Sequence, residues 1–116
     1  MIFTAHETII AEHKAGGKGH VTIMPVIDSA LYRGQNQMFA RVTLEKGCSI
    51  GYHQHQGNSE TYFILSGEGL YNDNGKETTV HAGDTTFCGD GEWHGIENKG
   101  DMPLIFMALI ANSPKA

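Results

Sequence analysis

Gly47-CSIGY-His53-Gln54-His55-QGNS-Glu60-TYFILS-Gly67 reads as two strands and the turn between them. Glu60 to Ser66 is rich in β-branched and aromatic residues, which pack well on a pleated surface. Ser49 to His55 precedes it, and Gly57-Asn58-Ser59 supplies the turn. Side chains on a strand alternate between faces, so His53 and His55 point the same way. The turn then folds Glu60 back beside them. By the same alternation Tyr62 and Ile64 share the face of Glu60.

Outward from this hairpin the chain continues as short strands and turns. Val21 to Ile27 is an early strand. Met38 to Glu45 alternates, with Met38, Ala40, Val42 and Leu44 on one face and Phe39 and Arg41 on the other. Leu70 to Asn72 and Lys76 to His81 flank Asp73-Asn74-Gly75, the clearest hairpin turn present. Thr85 to Cys88, Trp93 to Asn98 and Leu104 to Ile110 follow. Only Thr4 to Lys14 carries any helical pattern. His13 to Gly19 and Asn112 to Ala116 read as loose segments. Eight or more short strands imply an all-β sandwich or small barrel.

A third histidine enters from a later strand. His94 sits near Gly89, Gly91 and Gly95, where the backbone can bend close to a packed site. Three neutral imidazoles and one carboxylate make a mixed nitrogen and oxygen donor set. Such a set suits Mn, Fe, Co, Ni, Cu or Zn rather than Ca or Mg.

These residues carry a family resemblance. The first stretch matches the first cupin motif at every anchor: Gly47, the His53–His55 pair, Glu60 and Gly67. Gly83-DTTFC-Gly89-Asp90-Gly91-EW-His94-GIE-Asn98 resembles the second motif, with Gly89 where the family usually has proline. The resemblance implies a jelly-roll cupin barrel, a double-stranded β-helix, over a single domain spanning residues 1–116, with the motifs at 47–67 and 83–98. It also implies that His53, His55, Glu60 and His94 hold one divalent transition metal, Mn or Fe first, with Ni, Zn, Co or Cu compatible. Cupins commonly form dimers, and the sequence is similar to small single-domain cupins labelled oxalate decarboxylases. Bicupin oxalate decarboxylases carry an arginine shortly before the histidine pair, whereas Cys48 to Tyr52 contains none.

Composition narrows the partners. The chain has 116 residues, a formal charge of −5 and no basic cluster, so nucleic-acid binding is not expected. The longest apolar run, Leu104 to Ala111, is far shorter than the roughly 20 residues of a helical membrane span. No secretion signal is visible at the N-terminus, so a cytoplasmic location is the default. Cys48 and Cys88 lack metal-type spacing and read as buried thiols. His6, His13, His20 and His81 read as surface or turn residues. Leu104 to Ala111 does not alternate, so its second face needs a cover, and a homodimer is expected.

The functional expectation is a metal-dependent enzyme, a dioxygenase, decarboxylase or related lyase or isomerase, acting on a small carboxylate such as oxalate. The alternative is a non-catalytic module that binds or senses a metal and a small molecule. Tyr62, Glu92 and Arg41 are the candidates for catalysis or substrate contact. Glu92 is expected inward because it shares parity with His94. Arg41, if it faces the cavity, would pair with a substrate carboxylate.

Overall fold

The computed structural model describes residues 1–115. Ten strands follow in order: β1 Ile9–Glu12, β2 His20–Pro25, β3 Asn36–Leu44, β4 Ser49–Gln54, β5 Asn58–Ser66, β6 Glu68–Asp73, β7 Lys76–His81, β8 Thr85–Cys88, β9 Trp93–Glu97 and β10 Leu104–Asn112. They form a six-stranded sheet, β1-β2-β3-β10-β5-β8, and a four-stranded sheet, β4-β9-β6-β7. All pairings are antiparallel. The two sheets close into the jelly-roll barrel that the motifs imply.

The apolar periodicity lands where the parity argument places it. On β3, Ala40, Val42 and Leu44 are buried and Met38 is half-buried. On β5 the inward row is Glu60, Tyr62 and Ile64, and on β10 it is Leu104, Phe106 and Ala108. Burying a large apolar side chain contributes about 1.5–3 kcal/mol each, and Tyr62, Phe106, Leu44, Ile64 and Leu104 are essentially sealed from solvent. The Asn74-Gly75 turn takes positive φ at both residues, 53° and 97°, as a tight hairpin between twisted strands requires.

Two expectations change in the structure, and the open side of Arg41 is decided. The Thr4–Lys14 segment is not helical: Ile9–Glu12 forms edge strand β1 and pairs with β2, because β2 offers it a free hydrogen-bonding edge. Arg41 faces outward on β3 and is exposed, since Ala40 and Val42 take the core side. His13–Gly19 is not loose. It is a tight loop around a single 3-10 turn, Lys14–Gly16, closed by His13 N–H donating to Gly19 O at 2.9 Å. Gly17 packs its backbone directly on β4. A Cβ at Gly17 would lie 2.1 Å from Ser49 O, and one at Gly51 would lie 2.0 Å from Ala15 O. Only two glycines let these segments approach so closely.

Candidate metal centre

Three strands and a turn deliver the donors. His53 and His94 are cross-strand partners on β4 and β9, in the four-stranded sheet. Glu60 comes from β5, in the opposite sheet, where it pairs with Ile110 and Cys88. A bulge lies between Ile50 and His53, so the β4 chain bends just before the histidine pair. His55 lies one residue past the end of β4 and is held by the second motif instead. Its N–H donates to Glu92 O at 3.0 Å, and Gly91 N–H donates to its carbonyl at 2.7 Å. The interface between the sheets is therefore where both motifs converge.

The four donors are close and shielded. One donor atom from each of His53, His55, Glu60 and His94 falls within 4.8 Å of every other. His55 Nε2 is 3.1 Å from Glu60 Oε1 and 3.0 Å from His94 Nε2, and His94 Nε2 is 3.2 Å from Glu60 Oε1. His55, Glu60 and His94 are buried, and His53 is half-buried.

Outer contacts turn the imidazoles inward. His53 Nδ1–H donates to Gly51 O at 2.7 Å, and His55 Nδ1–H donates to Asn58 Oδ1 at 2.5 Å. Both acceptors fix the proton on Nδ1, which leaves the Nε2 lone pair for the cavity. His94 Nδ1 meets the Tyr71 hydroxyl at 2.9 Å. With Nε2 on an ion, His94 Nδ1–H donates to that oxygen. The Thr86 hydroxyl beside Tyr71 is the one buried side-chain oxygen left unpaired among the described residues. Converging lone pairs beside a carboxylate are a poor arrangement without a cation between them and a suitable one with it. The donor set thus fits a divalent transition metal.

The electrostatics agree. Burial alone would raise the Glu60 carboxyl, but hydrogen bonds from His55 and His94 and their charge hold it down at about 2. It is a carboxylate, as a ligand must be. Its hydrogen bond to Glu60 raises His55 above the usual imidazole value. Desolvation lowers His53. Burial pushes the Tyr62 phenol well up, with the Glu60 charge adding to it, so Tyr62 stays protonated. Burial likewise raises Cys88 to about 11, so this thiol is no nucleophile at neutral pH.

The cavity beside the donors has a volume of about 230 Å3. Apolar walls dominate it, among them Ile23, Met38, Val42 and Ile50, and Lys14 is the one lysine or arginine on its lining. Of the three catalytic candidates only Tyr62 lines it. Arg41 lies on the outer face of the six-stranded sheet. Glu92 is exposed because strand β9 begins only at Trp93, so alternation does not extend back to it. Its carboxylate instead accepts from Gly89 N–H at 2.6 Å and from Asn74 Nδ2 at 3.2 Å. Proline at position 89 would have no N–H to give, so Glu92 closes this loop where a proline ring otherwise stiffens it. Tyr71, Asn58 and Lys14 are site residues that motif spacing does not reveal. For Tyr71 the available signal was parity with Gly69 across β6, which faces both inward.

Comparison with known proteins identifies the family. Over 95 residues the chain is 43% identical to an oxalate-binding protein of Thermotoga maritima, covering 82% of this chain and 78% of that protein. It is 32% identical to an uncharacterised protein of Methanocaldococcus jannaschii, over 71% of this chain and 66% of the relative. The crystal structure of a predicted oxalate decarboxylase from Thermotoga maritima superposes with a TM-score of 0.93 at 36% identity, covering 97% of this chain and all of the other. A cupin domain is recognised over residues 40–110. A match across more than half of its length makes this chain a member of the cupin family.

Proposed function

We propose that the chain binds one divalent transition metal through His53, His55, Glu60 and His94 and, at that metal, a small carboxylate such as oxalate. The observation that carries this reading is the convergence of four shielded donor atoms within 4.8 Å beside a small cavity. Its volume, about 230 Å3, is below the ~300–1,000 Å3 of drug-sized ligand sites, which favours a ligand of few atoms. A bound metal with open positions supplies a Lewis-acid anchor for carboxylate oxygens. The oxalate-binding relative supports the same ligand class.

Turnover, as a metal-dependent decarboxylase or oxidoreductase, is the second reading. One observation favours it: Tyr62, buried and stacked on His94 with ring centroids 5.1 Å apart, places a phenol in the cavity. Its raised pKa suits a hydrogen-bond donor rather than a base. Arg41 and Glu92 lie outside the cavity, so the remaining acid–base groups are few, and this weighs toward binding.

The chain is further proposed to act as a homodimer, paired through the outer face of the six-stranded sheet. Phe63, Leu65 and Phe87 are 44%, 43% and 61% exposed there, beside half-buried Ile105, Met107 and Leu109. A second copy presents the same apolar face, which is what a self-complementary two-fold interface needs.

Calorimetry with oxalate on metal-free and Mn(II)-loaded protein tests the site. Heat of binding for the loaded form alone is expected. Equal heats for both forms overturn the reading. A turnover screen of Mn- and Fe-loaded protein with oxalate and small keto acids separates binding from catalysis.

A further inference from the structure

We infer that Lys14 is the charge-selecting residue of the cavity, placed to favour dianionic over monoanionic ligands at the metal. The inference rests on the reading of this cavity as a metal-held carboxylate site. Lys14 lines the same cavity as His53, His55, Glu60 and Tyr62, and every other lining side chain outside the donor set is uncharged. Among the described residues it makes no ion pair, whereas Lys18 and Lys46 are paired with Glu97 and Asp101. Its ammonium thus carries a charge that no carboxylate of the described residues offsets.

The loop that carries it is built rather than slack. His13 and Ala15, on either side of Lys14, both take left-handed backbone angles, φ 50° and 53°. Such angles are unfavourable for residues with a Cβ and persist only where surrounding structure enforces them. Here the enforcement is visible. Gly17 N–H donates to Lys14 O at 2.9 Å, His13 Nδ1 lies 3.2 Å from Gly17 O, and Gly17 sits on the Ser49–Gly51 backbone. The contact that seats the loop thus falls on the bulged strand that ends at the histidine pair. The loop that carries Lys14 thus rests on the strand that carries His53.

Charge counting gives the residue its role. A divalent ion held by one carboxylate and three neutral imidazoles keeps a single net positive charge. A monoanionic ligand cancels it. A dicarboxylate overshoots by one negative charge, which is costly beside apolar walls unless a cation balances it. Lys14 supplies that cation from an exposed position, where its ammonium keeps part of its hydration.

Oxalate and glycolate separate charge from shape. Each chelates a metal through two oxygens, but glycolate carries one negative charge fewer. Their dissociation constants are measured by calorimetry on Mn(II)-loaded wild-type, Lys14→Met and Lys14→Arg full-length protein, with manganese content checked by elemental analysis. In Lys14→Met, oxalate binding is expected to weaken about tenfold, with glycolate binding and metal content unchanged. Lys14→Arg is expected to restore oxalate binding. Raising salt is expected to narrow the gap between wild type and Lys14→Met. Unchanged oxalate affinity in Lys14→Met, or equal losses for both ligands, overturns the assignment of Lys14 alone. Failure of loaded wild-type protein to bind either ligand overturns the carboxylate reading itself, and this inference with it.

Discussion

The Tyr71 hydroxyl lies 2.9 Å from Nδ1 of His94, both groups buried between the sheets. This contact sets which nitrogen of His94 faces Glu60 and His55. Hydrogen bonds behind a metal ligand commonly tune affinity by about 10–100-fold. Tyr71→Phe should therefore weaken metal binding by about tenfold while leaving one equivalent bound at saturating metal. Competition against a fluorescent chelator measures it. An unchanged affinity would show that ring packing alone orients His94.

His55→Ala should abolish stoichiometric metal binding without unfolding the barrel. The apolar row of Leu44, Ile64, Leu104 and Phe106 does not depend on the ion. Elemental analysis should find well under one equivalent, and circular dichroism should keep the wild-type strand signal. A full equivalent retained by the variant would remove His55 from the ligand set.

Metal retention should fall in mild acid. An ordinary histidine titrates near ~6.5, and the hydrogen bond to Glu60 raises His55, so it is the donor that protons contest first. In metal-free protein the signs differ by group. The Glu60 pKa is lowered from 4.5 to about 2, so its stabilisation is full above 4.5 and is lost as pH falls toward 2. The raised His55 contributes below its unfolded value of 6.5 and loses that contribution as pH rises through its folded value. The lowered His53 contributes above 6.5 and loses that contribution as pH falls through its folded value. Proton release on metal binding near neutral pH, read from calorimetry in two buffers of different ionisation enthalpy, checks the His55 assignment.

Ile105→Glu should convert a dimer to monomers or precipitate the protein. Ile105 points outward on β10, whereas Phe106 is sealed in the core, so the charge lands on the apolar outer face. Light scattering of wild-type protein as a stable monomer at micromolar concentration would remove the dimer.

Gly51→Ala should destabilise the protein, because its Cβ would fall 2.0 Å from Ala15 O, a backbone atom with nowhere to go. Overpacking of this kind costs about 1–3 kcal/mol or more. Thermal denaturation measures it, and a melting temperature equal to wild type would mean that the Lys14 loop can lift away freely.

The local physics of this chain is legible in its residues. Period-two alternation places Glu60, Tyr62 and Ile64 on one face, and Asn74-Gly75 closes a hairpin, because both depend only on neighbouring residues. The spacing of His53, His55, Glu60 and His94 is equally local within each motif, and the four donors are indeed gathered within 4.8 Å. Alternation failed at Glu92 because a strand boundary intervenes, and boundaries depend on which edge finds a partner. It also left the side of Arg41 open, since either face of β3 reads as partly apolar until a second sheet covers one. Ile9–Glu12 could choose strand over helix only once β2 offered an edge. Tertiary structure alone brought Tyr71 behind His94, and the Gly17–Gly51 contact, across more than thirty positions of chain, set Lys14 at the cavity. Close backbone approach needs the absence of two side chains in space, and an absence carries no periodic signal along the chain.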